Sequence, residues 1–115
     1  MSEKTKEFDL IVTIVKKGFS EQIIQASIKA GAKGGTVLFG RGTGIHEKKK
    51  ILGIPIEPEK EIILTVVSKK QTDDILKAIK KAGELDKPGM GIGFVISLEK
   101  VVGMSHLMSD ESIIS

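Results

Sequence analysis

Ile11-Val12-Thr13-Ile14-Val15 is echoed by Ile63-Leu64-Thr65-Val66-Val67 at an offset of 52 residues. The same offset relates Ile23-Ile24 to Ile75-Leu76. It also relates Ala26, Lys29, Ala30 and Gly31 to Ala78, Lys81, Ala82 and Gly83. A gapless offset shared by a β-rich run and a helical run marks a duplicated unit. Each copy reads as strand, helix, strand. Phe8–Val15 is a continuous β-rich run, as a central strand requires. Phe19, Ile23, Ala26 and Ala30 form a helical stripe, widened by Ile24 and Ile28. Ser20 is the expected N-cap of that helix and Gly31 its C′ residue. Gly35–Phe39 is the second strand. The second copy runs from Glu61–Val67 through a helix at Thr72–Ala82 to a strand at Ile92–Leu98. Thr72 is its expected N-cap, and Ile75, Ile79 and Ala82 are its buried stripe. Val101-Val102 reads as a short additional edge strand.

A duplicated βαβ unit with right-handed crossovers gives an α+β, ferredoxin-like βαββαβ sandwich. It has a four-stranded antiparallel sheet with two helices on one face. The strands are apolar on both sides, and 115 residues leave no third layer to cover the second face. Self-association through that face is therefore expected. The length suits a single domain over residues 1–115, with flexible ends at 1–7 and 104–115. Residues 40–58 form a long connection between the copies, of a length that is commonly functional. Pro55 and Pro58 bar regular helix in its second part, while Ile45–Leu52 suits a helical turn.

Composition narrows the function classes. The chain has no cysteine, so disulfide frameworks and thiolate metal sites are excluded. Its four aromatic residues are all phenylalanine, and its net charge is only +3. Neither favours nucleic-acid binding. The charged N-terminal segment lacks an apolar leader and no run is long enough to span a bilayer, so a cytoplasmic protein is expected. No Ser-His-Asp or Cys-His set is evident, which argues against an enzyme.

The stretch from Gly34 to Gly44 carries the chemistry. Gly34, Gly35, Gly40, Gly42 and Gly44 make a strand end in a permissive loop, whose N–H groups can cradle an anion. Arg41 adds a forked cationic donor. A second glycine-rich loop, Asp86-Lys87-Pro88-Gly89-Met90-Gly91-Ile92-Gly93, precedes the last strand. Neither loop fits a P-loop or a dinucleotide fingerprint.

These segments resemble the nitrogen-regulatory PII signalling family, in a divergent PII-like branch, over roughly residues 8–102. Gly31-Ala32-Lys33-Gly34-Gly35-Thr36-Val37 is similar to the family's Gly-x-x-Gly-x-Thr-Val strand entry. Gly40-Arg41 is similar to the Gly-Arg at the base of its long T-loop. Lys60-Glu61-Ile62-Ile63-Leu64-Thr65-Val66-Val67 resembles the strand after that loop, with Lys60 at a phosphate-binding position. Gly89-Met90-Gly91 falls on the Gly-Asp-Gly of its nucleotide loop. The resemblance implies a homotrimer that needs no cofactor and binds an adenine nucleotide (ATP, ADP or AMP) between subunits. It implies nucleotide contacts at Thr36, Gly40, Arg41, Lys60, Gly89, Met90 and Gly91. It also implies a partner-contact loop including Gly42, Thr43, Gly44, Ile45, His46, Glu47, Ile51 and Leu52. That loop would regulate a target protein such as a membrane transporter or a metabolic enzyme. Met90 and Ile92 stand where the family has aspartate and lysine, and Gly103 and Ser105 where it has arginines. These departures favour a less charged nucleotide, ADP or AMP. With no tyrosine in the chain and no serine between Ser27 and Ser68, covalent marking of the loop at those residues is excluded. The competing readings are a ferredoxin-like metal-binding or enzymatic trimer using His46 and the loop carboxylates, and an interaction module without a ligand.

Overall fold

The computed structural model describes residues 3–44, 49–51, 53–56 and 58–103. Strand β1 (Glu3–Lys16) leads into helix α1 (Ser20–Lys29) and strand β2 (Thr36–Arg41). A small hairpin of β3 (Lys49–Ile51) and β4 (Ile54–Ile56) follows. Then come β5 (Glu59–Ser68), a 3-10 turn (Lys69–Gln71), α2 (Thr72–Gly83) and β6 (Gly91–Val102). The four long strands form one sheet in the order β2-β5-β1-β6. Every pairing in it is antiparallel. This is the ferredoxin-like sandwich that the duplication predicts.

The repeat reappears as pseudo-symmetry in the core. Ile11, Val15 and Ile23 are the equivalents of Ile63, Val67 and Ile75, and all six pack in one buried cluster with Ala32 and Ile79. Ser27 occupies the α1 position equivalent to Ile79 and is equally buried. Its hydroxyl donates to the Ile24 carbonyl at 2.8 Å, which satisfies it inside the helix.

The helix starts differ from the sequence expectation. Ser20 and Thr72 are the first helical residues, and the N-caps are Phe19 and Gln71, neither of which makes a side-chain cap bond. Buried carboxylates from the sheet take over. The Ser20 N–H donates to Glu61 Oε1 of β5 at 2.9 Å. The Thr72 hydroxyl donates to Asp9 Oδ2 of β1 at 2.7 Å. Asp9 and Glu61 are themselves 52 apart, so each half of the duplication anchors the helix start of the other. Burial drives the Asp9 carboxyl upward, but hydrogen bonds from Lys69 and Thr72 and the Lys69 charge hold it below its ordinary range. Ser20 does most to hold Glu61 below its own, against burial and with help from Gly18 and Lys17.

Four further expectations are corrected. The segment read as a flexible start is strand from Glu3, because β6 runs on to Val102 and presents a ladder to it. Glu3–Thr5 pair with Val102–Lys100 beyond a bulge before Phe8. Val101-Val102 accordingly continue β6. Instead of a helical turn, Lys49–Ile51 pair with Ile54–Ile56 around Gly53, whose φ of 81° suits a tight reversal. Residues 45–48 and 52 lie outside the described residues, as do 104–115. Ile28 is exposed, so the α1 stripe is narrower than its periodicity suggests.

One sheet face is covered by the helices; the other is laid out by the register. Leu38, Ile62, Ile14 and Ile92 form one row across it, and Thr36, Leu64, Val12 and Phe94 the next. Val66, Leu10 and Ile96 form a third. Leu38, Ile92, Phe94 and Ile96 are exposed. An apolar face of this extent is the usual mark of an interaction surface.

Candidate functional site

At one end of this face β2 ends and β5 begins, and the long connection between them is closed at its base. The Gly42 N–H donates to the Pro58 carbonyl at 3.2 Å. Gly40 pairs with Lys60, and Arg41 with Glu59. Beside this base lies the turn from α2 to β6, in which Gly89 has a φ of 79°. Between the two runs a cleft of about 470 Å³. Its lining is Arg41, Gly42, Thr43 and Gly44 from the connection, Lys60 and Ile62 from β5, Ile14 from β1, and Gly89, Gly91 and Ile92.

The floor is the isoleucine row Ile14, Ile62 and Ile92, which the register places side by side. Arg41 and Lys60 supply the charge. Arg41 is exposed, while Lys60 is only 7% exposed. Glu59, the register partner of Arg41, has its carboxylate on Lys17 at 2.9 Å. That hydrogen bond and the Lys17 charge hold the Glu59 carboxyl low, and Arg41 adds to the effect.

Several residues singled out in the sequence therefore meet: Arg41, Lys60, Gly89 and Gly91, with Gly42, Thr43 and Gly44 of the proposed contact loop. Others stand apart. Gly40 lies beside Lys60 in the ladder but does not line the cleft. Met90 is half-buried in the turn, where its N–H donates to the Lys87 carbonyl at 3.3 Å. Thr36 lies at the far end of β2, four residues or about 13 Å from Gly40. Ile51 ends β3, and Ile45, His46, Glu47 and Leu52 lie outside the described residues. Among the described residues no group of three His, Cys, Asp or Glu side chains is placed to hold a metal.

Gly91 has a structural reason of its own. Its φ is 143°, and a Cβ there would lie 2.5 Å from the Ile14 carbonyl oxygen. The three isoleucines went unnoticed as site residues in the sequence. Alternation on two-sided apolar strands was their only signal, and it becomes specific only once the register is known.

The fold and cleft together define a ferredoxin-like domain with a basic, glycine-walled cleft at the base of its long connection. The model of the family "Nitrogen regulatory protein P-II" matches residues 8–106, and the chain belongs to that family. Its members are trimeric signalling proteins that regulate target proteins. Among solved structures, the chain is similar to Arabidopsis thaliana PII bound to citrate, at 24% identity and a TM-score of 0.61. The match covers 84% of this chain and 78% of that one. At that identity the likeness bears on the fold alone. No curated protein matches the chain. No helix among the described residues is long and apolar enough to cross a membrane.

Proposed function

We propose that this PII-like protein is a cytoplasmic homotrimeric sensor that binds an adenine nucleotide in the cleft between subunits. Binding biases the conformation of the connection over residues 42–58, which then engages a target protein such as a transporter or a metabolic enzyme. The observation that carries this reading is convergence. Arg41–Gly44, Lys60 and the Gly89–Ile92 turn come from distant parts of the chain and line one cleft. Arg41 and Lys60 suit a phosphate, and the isoleucine floor suits the flat apolar face of a base. The cleft opens at the root of the loop, so a ligand that contacts Arg41 and Gly42 favours some loop conformations over others. The uncovered sheet face supports self-association.

Titration calorimetry with ATP, ADP, AMP and cyclic AMP, with the assembly mass measured by light scattering, tests the reading. Micromolar binding of one nucleotide to a trimer is expected. Arg41→Ala is expected to weaken that binding at least tenfold and leave the trimer intact. Unchanged affinity in Arg41→Ala would remove the cleft from the mechanism.

A further inference from the structure

Two buried threonines lie at the centre of the sheet, on the face opposite to the cleft floor. Thr13 of β1 and Thr65 of β5 are 0% and 1% exposed. Neither hydroxyl has a hydrogen-bond partner among the described residues. The two are copies of each other in the duplication. We propose that one water molecule is bound between them and bridges the two hydroxyls, in the core where the halves of the duplication meet.

A hydroxyl buried without a partner carries the full desolvation penalty of the group. Two of them in one core point to a shared partner, and the register shows why it must be small. Thr13 pairs with Ile63, and Thr65 with Ile11. The threonines are therefore diagonal neighbours on the helix-covered face. Such neighbours have Cα atoms about 7–8 Å apart, with their Cβ atoms closer. Two hydrogen bonds of about 2.8 Å to one water span roughly 4.5 Å between the outer oxygens. A single water matches that separation, whereas a direct bond between the hydroxyls falls short of it.

The surroundings offer little else. β1 and β5 are both interior strands, so their backbone N–H groups are engaged in ladders on either side. Along the strands the threonines are flanked by Ile11 and Val15, and by Ile63 and Val67, all in the apolar cluster. Water donates and accepts, as each hydroxyl does, and it brings no charge for the core to desolvate. Room comes from an asymmetry between the halves. Ser27 of α1 holds the place that Ile79 holds on α2, and α1 packs over β5, the strand of Thr65. The first half of the core is thus smaller than a faithful copy by most of an isoleucine side chain.

The experiment is a high-resolution crystal structure of the full-length protein, with thermal melts of Thr13→Val, Thr65→Val and the double variant at one protomer concentration. Valine keeps the shape of threonine and removes only the hydroxyl. The wild type is expected to show a water within about 3.2 Å of both hydroxyl oxygens, and the double variant none. Each single variant is expected to lower Tm by about 4 °C, because it takes one hydrogen bond from a water that stays buried. The double variant is expected to cost less than the sum of the two, because the water leaves with its second partner. Single variants that melt at or above the wild type would mean dry hydroxyls and overturn the inference. A direct bond between the hydroxyls, a water on one threonine only, or strictly additive losses would each overturn the bridge.

Discussion

Replacing Glu61 tests the cross-anchoring of the helices in quantitative terms. Its buried carboxylate accepts from the Ser20 N–H at 2.9 Å and from Gly18. Losing a helix cap costs about 0.5–2 kcal/mol, and hydrogen bonds to a charged group are worth about 1.5–3 kcal/mol. These describe the same contacts and do not add. Ser20 is only half-buried, so water can reach the vacated donors. Glu61→Ala is therefore expected to cost about 2 kcal/mol, and Glu61→Gln about 1 kcal/mol, since it keeps an acceptor and loses the charge. At roughly 4 °C per kcal/mol for a domain of this size, Glu61→Ala lowers Tm by about 8 °C. The sign of the pH dependence follows from the depressed carboxyl. Its stabilisation is present above the unfolded value of 4.5 and is lost as pH falls through the lower folded value. The advantage of the wild type over Glu61→Gln should therefore shrink steadily as pH falls below 4.5. The chain has no tryptophan or tyrosine, so far-ultraviolet circular dichroism is the natural readout. Protomer concentration must be fixed, because assembly feeds into apparent stability. A wild-type advantage over Glu61→Gln that persists undiminished at pH 3 would refute the charge-based account.

Asp9→Asn is the counterpart in the other half. It should cost about 2 kcal/mol in urea denaturation at pH 7, below the 3–5 kcal/mol of a fully buried pair, because Lys69 is 40% exposed and rehydrates. Gly91→Ala should destabilise by more than 2 kcal/mol, since its Cβ would meet the Ile14 carbonyl. Gly34→Ala, with a φ of 145° but nothing within 4 Å, should cost only about 1 kcal/mol by thermal melting. Ile96→Glu, in the exposed third row of the open face, should shift the sedimenting species to the monomer while retaining the far-ultraviolet spectrum. An assembly unaffected by this change would place the interface elsewhere.

The architecture was legible in the sequence because duplication doubles every signal. Ile11, Val15 and Ile23 each have an equivalent in the same core cluster, so periodicity and offset agreed. Helix capping was less legible, for a physical reason. Ser20 and Thr72 have the right chemistry for an N-cap, but Glu61 and Asp9 reach the helix starts from 41 and 63 residues away. No local pattern encodes such a reach. The cleft was half legible. Glycine and arginine in a loop signal anion chemistry wherever they occur, whereas the isoleucine floor exists only through strand register. The early strand at Glu3 was hidden for the same reason, since its partner is the far end of β6.

The placement of the cleft also bears on how one small sheet can link a ligand to an assembly. Ile14, Ile62 and Ile92 floor the cleft and, with Leu38, form a row of the uncovered face. A copy docked on that face abuts the same row that a bound base would touch. The chain between Arg41 and Glu59 leaves from the next row, where Gly40, Lys60 and Lys16 stand side by side. On the proposed reading, ligand, subunit contact and loop root are thus one or two residues apart along the strands, about 3–7 Å. On that reading, a side-chain shift that accommodates a ligand in the isoleucine row would reach the loop base through the Gly40–Lys60 pair, with no movement of the helices required. Coupling over such a distance would then require that row to have two arrangements, and its place between the cleft and the open face lets a ligand and a docked copy each bias them.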